Sequence, residues 1–150
     1  MKVKDIMTQK PACCTPDTNL QQVARMMVDC NCGEIPVVES QQTMKPIGVV
    51  TDRDIACRAV AQGKNPLQMT AKECMTKPAI TVTPETSVEE CCRLMKQHQI
   101  RRIPVVDQKG VLCGMVTQAD LARHAPEEET ASLLKEVSGP VRTPAMAAAR

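Results

Sequence analysis

Two short segments carry most of the chemical potential of this chain, Thr51-Asp52-Arg53-Asp54 and Thr117-Gln118-Ala119-Asp120. In each, a threonine hydroxyl stands three residues before a carboxylate. At the start of a helix this spacing makes a cap, because the hydroxyl accepts an amide proton and the acid sits on the positive end of the helix. The same carboxylate, once ionised, is an acceptor only and can take both donors of a cis-diol, while the helix N-terminus favours a nearby anion. Both uses fit one geometry, so the spacing alone leaves both open. A third segment, Ile100-Arg101-Arg102-Ile103-Pro104, adds two guanidinium groups. Arginine binds phosphate with paired donors, whereas a glutamate in its place repels it.

The remaining candidate chemistry is weaker. Cys13-Cys14, Cys30-x-Cys32 and Cys91-Cys92 resemble ligand clusters, but none has the paired Cys-x-x-Cys spacing of a zinc ribbon. Nine cysteines, an odd number behind a polar start at Met1 to Pro11 that has no apolar signal segment, point to reduced thiols and a cytoplasmic protein. The two histidines, His98 and His124, have no sequence link to a nucleophile and read as surface residues near helix ends. Neither a glycine-rich phosphate loop nor a dinucleotide fingerprint is present, so no enzyme activity, no metal and no required cofactor are expected. The 19 Lys plus Arg against 17 Asp plus Glu leave a net charge of +2, too small to capture nucleic acid by its field. With no Phe, Tyr or Trp there is also no platform on which bases could stack. No window is apolar enough for a membrane span.

The elements that must position these groups follow from an internal repeat. Ile6-Met7-Thr8 returns as Cys74-Met75-Thr76, Thr15-Pro16 as Thr83-Pro84, and Ile35-Pro36-Val37-Val38 as Ile103-Pro104-Val105-Val106, all at an offset of 68 residues. Gly48-Val49-Val50-Thr51 then matches Gly114-Met115-Val116-Thr117 at an offset of 66, which places a length change in a surface hairpin loop. Leu20, Val23, Ala24 and Met27, like Val88, Cys91, Cys92 and Met95, keep the spacing of one buried helical face. Asn19 and Ser87 precede these runs as N-caps, and Ser87 with Glu90 predicts a capping box. Two apolar runs in each repeat predict a hairpin, and a second helix opens at Thr51 or Thr117. Each repeat therefore reads strand, helix, strand, strand, helix.

The first repeat's last helix should stop near Gly63, and Thr70 with Glu73 can cap a short helix leading into the second. The chain thus divides into residues 1–66, residues 67–125, and a C-terminal stretch 126–150. In that stretch Pro126 and Glu127 to Glu129 open a helix with Leu133, Leu134 and Val137 on its apolar side, Gly139-Pro140 ends it, and a loose tail follows. The repeat also serves as an internal control on the thiols. Cys14, Cys32, Cys74, Cys91 and Cys113 align with Val82, Ile100, Ile6, Val23 and Ile47, as expected if they are small buried hydrophobes.

The ordered set of Met-Thr start, Thr-Pro, Ile-Pro-Val-Val strand and Gly-h-h-Thr-x-x-Asp ending, present twice over residues 3–125, resembles a tandem pair of cystathionine-β-synthase (CBS) domains, a Bateman module. The resemblance implies a mixed α+β or α/β fold of two β-α-β-β-α units packed through their sheets with pseudo-twofold symmetry. It also implies a homodimer and clefts that hold adenosine nucleotides of the AMP, ADP, ATP or NAD type. By the family pattern, Thr51 and Asp54 pair with Val82, Arg101, Arg102, Ile103 and Pro104, and Thr117 and Asp120 pair with Cys14, Gly33, Glu34 and Pro36. Gly33 and Glu34 occupy the places of Arg101 and Arg102, so the first cleft is the one expected to take a phosphorylated ligand. Ile80, Val82, Ile103 and the bends at Pro36 and Pro104 would wall the adenine. The resulting expectation is a regulatory module that senses such a ligand and signals to a regulated protein that the sequence does not identify. The rival readings are a ligand-free dimerisation or interaction scaffold and, more remotely, a thiol metal or redox protein.

Overall fold

The computed structural model describes residues 1–140, so the expected tail lies largely outside the described residues. The chain folds as a mixed α+β protein of two compact units. One consists of Ala12–Ala79 and holds most of the first repeat; the other joins Met1–Pro11 to the described residues from Ile80 onward and holds most of the second. In sequence the repeats follow one another, but in space each lead-in belongs to the other repeat's unit.

In the first-repeat unit, helix α1 (Leu20–Cys30) packs on a hairpin of β2 (Glu34–Val38) and β3 (Pro46–Thr51), followed by α2 (Asp52–Arg58) and the short α3 (Ala71–Cys74). The second-repeat unit contains β1 (Thr8–Gln9), α4 (Val88–His98), β4 (Arg102–Val106), β5 (Leu112–Thr117), α5 (Gln118–His124) and α6 (Glu127–Val137). Its sheet has the order β1-β5-β4 and is antiparallel throughout. The predicted apolar faces are the buried ones: Leu20, Val23 and Met27 in α1, and Val88, Cys91, Cys92 and Met95 in α4. Burying such stripes supplies the main driving force for each unit.

Both N-caps form, with Asn19 Oδ1 accepting from the Gln22 amide at 2.8 Å and Ser87 Oγ accepting from the Glu90 amide at 3.1 Å. The reciprocal half of the Ser87–Glu90 box is absent from the described hydrogen bonds, because the Glu90 carboxylate turns outward to Arg93. A guanidinium one turn on offers a charge-assisted bond that competes with a single backbone amide. Gly63, at φ +72°, closes the turn that follows α2.

The predicted first strand of each repeat contracts to one residue. Cys14 makes an isolated parallel bridge with Val37, and Val82 makes one with Val105. Prolines surround both bridges, at 11 and 16 and at 78 and 84, and a residue without an amide proton cannot extend a ladder.

The opposite sheet edge is closed by the exchanged lead-ins. Thr76 bridges Val49, as Thr8 bridges Met115. One turn earlier, Thr70 bridges Asn19 and Lys2 bridges Ser87. Glycine in the receiving strand permits this approach: a Cβ at Gly48 would stand 2.7 Å from the Thr76 carbonyl oxygen. Finally, α6 lies on α4 and α5 with Leu133 and Val137 wholly buried. Among the described residues no helix is long and apolar enough to cross a membrane.

Candidate functional site

Each Thr-x-x-Asp segment sits where a strand of the hairpin runs directly into a helix. Thr51 ends β3 in extended backbone and N-caps α2, and Thr117 does the same between β5 and α5. Both capping boxes are complete. Thr51 Oγ1 accepts from the Asp54 amide at 2.9 Å while Asp54 Oδ2 accepts from the Thr51 amide at 3.0 Å. Thr117 Oγ1 accepts from the Asp120 amide at 3.1 Å, and Asp120 Oδ2 accepts from the Thr117 amide and hydroxyl, both at 2.8 Å. The cap reading of these residues is therefore realised in both repeats. Since each carboxylate oxygen carries two acceptor sites, a cap does not exhaust the group.

The carboxylates differ in their surroundings. Asp54 is 2% exposed, and burial pushes its carboxyl above the ordinary range, against the hydrogen bonds from Thr51 and Thr76 and the charge of Arg58. Its outer partners are Thr76 Oγ1, 3.4 Å from both oxygens, and Arg58 Nε, 3.9 Å from Oδ1. Asp120 is also buried, but its ion pair is to Arg123, at 3.2 Å, a side chain that is two-thirds in solvent. Sequence reasoning missed Thr76 and Arg58 as site residues. The signal for Thr76 was its place in the repeated Met-Thr start, and that for Arg58 was its i,i+4 spacing from Asp54, where the second repeat has His124.

The remaining predicted residues lie beside these caps, sorted by unit. In the first-repeat unit, Glu34 is in register with Thr51, the Gly33 carbonyl accepts from the Asp52 amide at 3.0 Å, and Cys14 donates its amide to the Pro36 carbonyl at 3.0 Å. In the second-repeat unit, Arg102 is in register with Thr117, the Arg101 carbonyl accepts from the Gln118 amide at 2.7 Å, and Val82 donates to the Pro104 carbonyl at 3.2 Å. Pro36 and Pro104 are buried and contribute only carbonyls to the ladder. Ile103 is wholly buried in its unit's own core, and Val82, Cys14 and Ile35 are nearly so. Ile80 is half-buried.

The charge around the two caps is opposite in sign. Glu34, Asp52 and Asp54 crowd the start of α2, and a Cβ at Gly33 would meet the Asp52 carboxylate at 2.9 Å. Around α5 stand Arg101 and Arg102, and among the described residues neither guanidinium enters an ion pair or side-chain hydrogen bond.

All nine cysteines are free thiols. Burial pushes Cys14 and Cys91 up to about 12 and Cys92 to about 11, so these three are packing groups rather than nucleophiles. Among the described residues no group of three or more His, Cys, Asp or Glu side chains is placed to hold a metal ion.

Over 137 residues, 91% of this chain and 94% of the relative, the chain is 43% identical to the CBS domain-containing protein YhcV of Bacillus subtilis. The crystal structure of Hypoxic Response Protein I with two coordinated zinc ions superposes with a TM-score of 0.75 at 32% identity, covering 84% of this chain and all of that one. That of the CBS domain pair of protein MJ0100, in complex with 5′-methylthioadenosine and S-adenosyl-L-methionine, gives 0.73 at 30% identity over 82% of this chain and 94% of that one. The CBS domain family model matches twice, over residues 3–59 and 71–127, once for each Thr-x-x-Asp cap, and this chain belongs to the CBS-domain family as a tandem CBS pair.

Proposed function

We propose that this CBS pair is a regulatory module that binds an adenosine-containing ligand and passes its occupancy to a partner protein. The observation that carries the reading is the Arg101-Arg102 pair, two guanidinium groups without carboxylate partners among the described residues, at the start of a strand that runs beside a capped carboxylate. Guanidinium groups without ion-pair partners can donate paired hydrogen bonds to a phosphate. The related CBS pair of MJ0100, crystallised with two adenosyl compounds, supports adenosine as the common moiety.

Following the family pattern, Asp54 and Thr51 take the ribose of a ligand whose phosphate meets Arg101 and Arg102, with Val82, Ile103 and Pro104 as the strand that supports its base. Thr117 and Asp120, with Cys14, Gly33, Glu34 and Pro36, form the counterpart that disfavours phosphate, because Glu34 and Asp52 add negative charge there. The ligand is an adenosine nucleotide of the AMP, ADP, ATP or NAD type, and the signalling form is a homodimer, as in the family pattern. Regulation requires only that the ligand bind one arrangement of the protein better than another.

Calorimetric titration of the whole chain with AMP, ADP, ATP, NAD and S-adenosylmethionine tests the reading. Asp54→Ala should weaken binding of the preferred nucleotide by about 10- to 150-fold, the cost of losing hydrogen bonds to a charged acceptor. Asp120→Ala should weaken it less. No heat with any of these ligands, together with an unshifted melting temperature, would instead assign the chain to a ligand-free interaction scaffold.

A further inference from the structure

The two caps differ in what holds the carboxylate from outside its helix. On α2, Arg58 projects back along its own helix toward Asp54 and continues past it: Nη1 donates to the carbonyl oxygens of Cys74 and Met75, both at 2.9 Å. These are the last carbonyls of α3 and the residue beyond it, groups that a helix end leaves without an internal partner. The next residue, Thr76, points its hydroxyl at both Asp54 oxygens and pairs its backbone with Val49, donating to Val49 O at 2.8 Å and accepting from Val49 N at 2.9 Å. One guanidinium and one hydroxyl thus join the capped carboxylate to the segment that closes the edge of β3.

The second repeat has the same backbone without this connection. His124 stands in the place of Arg58, and Thr8, the counterpart of Thr76, is exposed. Among the described residues, the side-chain partners of Asp120 are Thr117 and Arg123, both from within its own helix and cap.

We propose that Arg58 and Thr76 are positioning residues that tie the Asp54 carboxylate to the seating of residues 74–76 on β3, so that a ligand accepted by Asp54 is felt at that sheet edge, and only in the first repeat. The ligand clause rests on the adenosine-binding reading above, whereas the tie itself does not. A donor from a ribose hydroxyl competes with Thr76 for the same two oxygens, and a change in the carboxylate's partners alters the pull on Arg58. Residues 70–79 are also the chain that runs from one unit into the other, which makes this edge a place where occupancy can be read.

Hydrogen exchange of the Val49 and Thr76 amides in the full-length protein tests this. Without ligand, Arg58→Gln and Asp54→Asn should each speed exchange at both amides by about tenfold or more, while amides of β4 keep their wild-type rates and Arg58→Lys recovers part of the protection. If a variant loses β4 protection as well, Thr76→Val, which removes one hydroxyl, carries the comparison, with the same acceleration at Val49 expected. On saturation with AMP, exchange at these two amides should change in the wild type, and that response should disappear in Arg58→Gln. Unaltered ligand-free exchange in Arg58→Gln and Asp54→Asn would overturn the tie. Calorimetric binding of AMP with no change at either amide would overturn its coupling to ligand while leaving the proposed function standing. Absence of heat with AMP and with every other ligand of the panel, together with an unshifted melting temperature, would defeat the proposed function instead, and the ligand-free variants would still decide the tie.

Discussion

Asp54 and Asp120 begin from one sequence pattern and reach the same cap, yet the tertiary structure gives them different neighbours. Around Asp54, carboxylates gather at the helix start, and the outer shell joins Arg58 of the same helix to Thr76 of the 70–79 segment. Around Asp120, arginines gather at the strand start and the outer shell is a solvent-exposed Arg123. A repeat preserves the residues that a local motif requires and frees the rest to diverge. What diverged here is electrostatics and wiring, the properties by which one Thr-x-x-Asp cap can stand in two unequal environments.

The largest difference to test lies in the helical layers. In the second-repeat unit α6 covers α4 and α5 and buries Leu133 completely, and the first-repeat unit has no such helix among its described residues. Leu133→Ala should therefore cost about 2–5 kcal/mol, the usual price of a large-to-small change in a closed core, in a denaturant titration that follows amides of that unit. A loss below 1 kcal/mol would mean that α6 adds little to the packing of α4 and α5.

Next are the glycines that admit the lead-ins. A Cβ at Gly48 meets a backbone carbonyl at 2.7 Å, whereas a Cβ at Gly114 meets first the flexible Met7 sulfur at 2.6 Å and the Thr8 carbonyl only at 3.1 Å. Thioether side chains can move and a bridged backbone cannot without losing its hydrogen bonds. Gly48→Ala should destabilise by about 1–3 kcal/mol and Gly114→Ala by less, measured as shifts in melting temperature. Equal losses would show that the two lead-ins are held equally rigidly.

Smallest, and of opposite sign in the two regions, is the response to acid. Glu85 bridges Lys2 and Lys4 at the surface, and its hydrogen bonds to these lysines hold its carboxyl down at about 2. A depressed acid contributes stability that is present above its ordinary value of 4.5 and lost as pH falls toward about 2. Burial raises Asp54 instead, so the folded form holds its proton more readily and this group's contribution improves as pH falls through the window just above 3.8. Exchange followed between pH 5 and 2 should speed up in residues 1–9 as Glu85 takes up its proton, and added salt should mute the effect because the Glu85 pairs are exposed. Unchanged exchange in residues 1–9 over that range would show that these pairs do not hold the lead-in.

Much of this architecture was legible from the chain because local motifs carry their own physics. The apolar stripes at Leu20 and Val88, the caps at Asn19, Ser87, Thr51 and Thr117, and the hairpin loops of unequal length each depend on residues close in sequence. Repetition then made each reading its own control, most clearly for the cysteines that alternate with aliphatics. The first strands were over-read, since apolar composition around Cys14 and Val82 gives no sign of how far a ladder can extend between prolines.

The sequence by itself determined the caps at Asn19, Ser87, Thr51 and Thr117 and the buried faces of α1 and α4, because spacing along a helix is enough to define those roles, but it misplaced Leu134, which is 50% exposed. Only the tertiary structure decided that residues 1–11 belong with the second repeat, that Thr76 reaches Asp54, and that Arg58 reaches the Cys74 and Met75 carbonyls. Those contacts join residues many positions apart, and no periodicity in a single chain records which distant segment will fill a sheet edge.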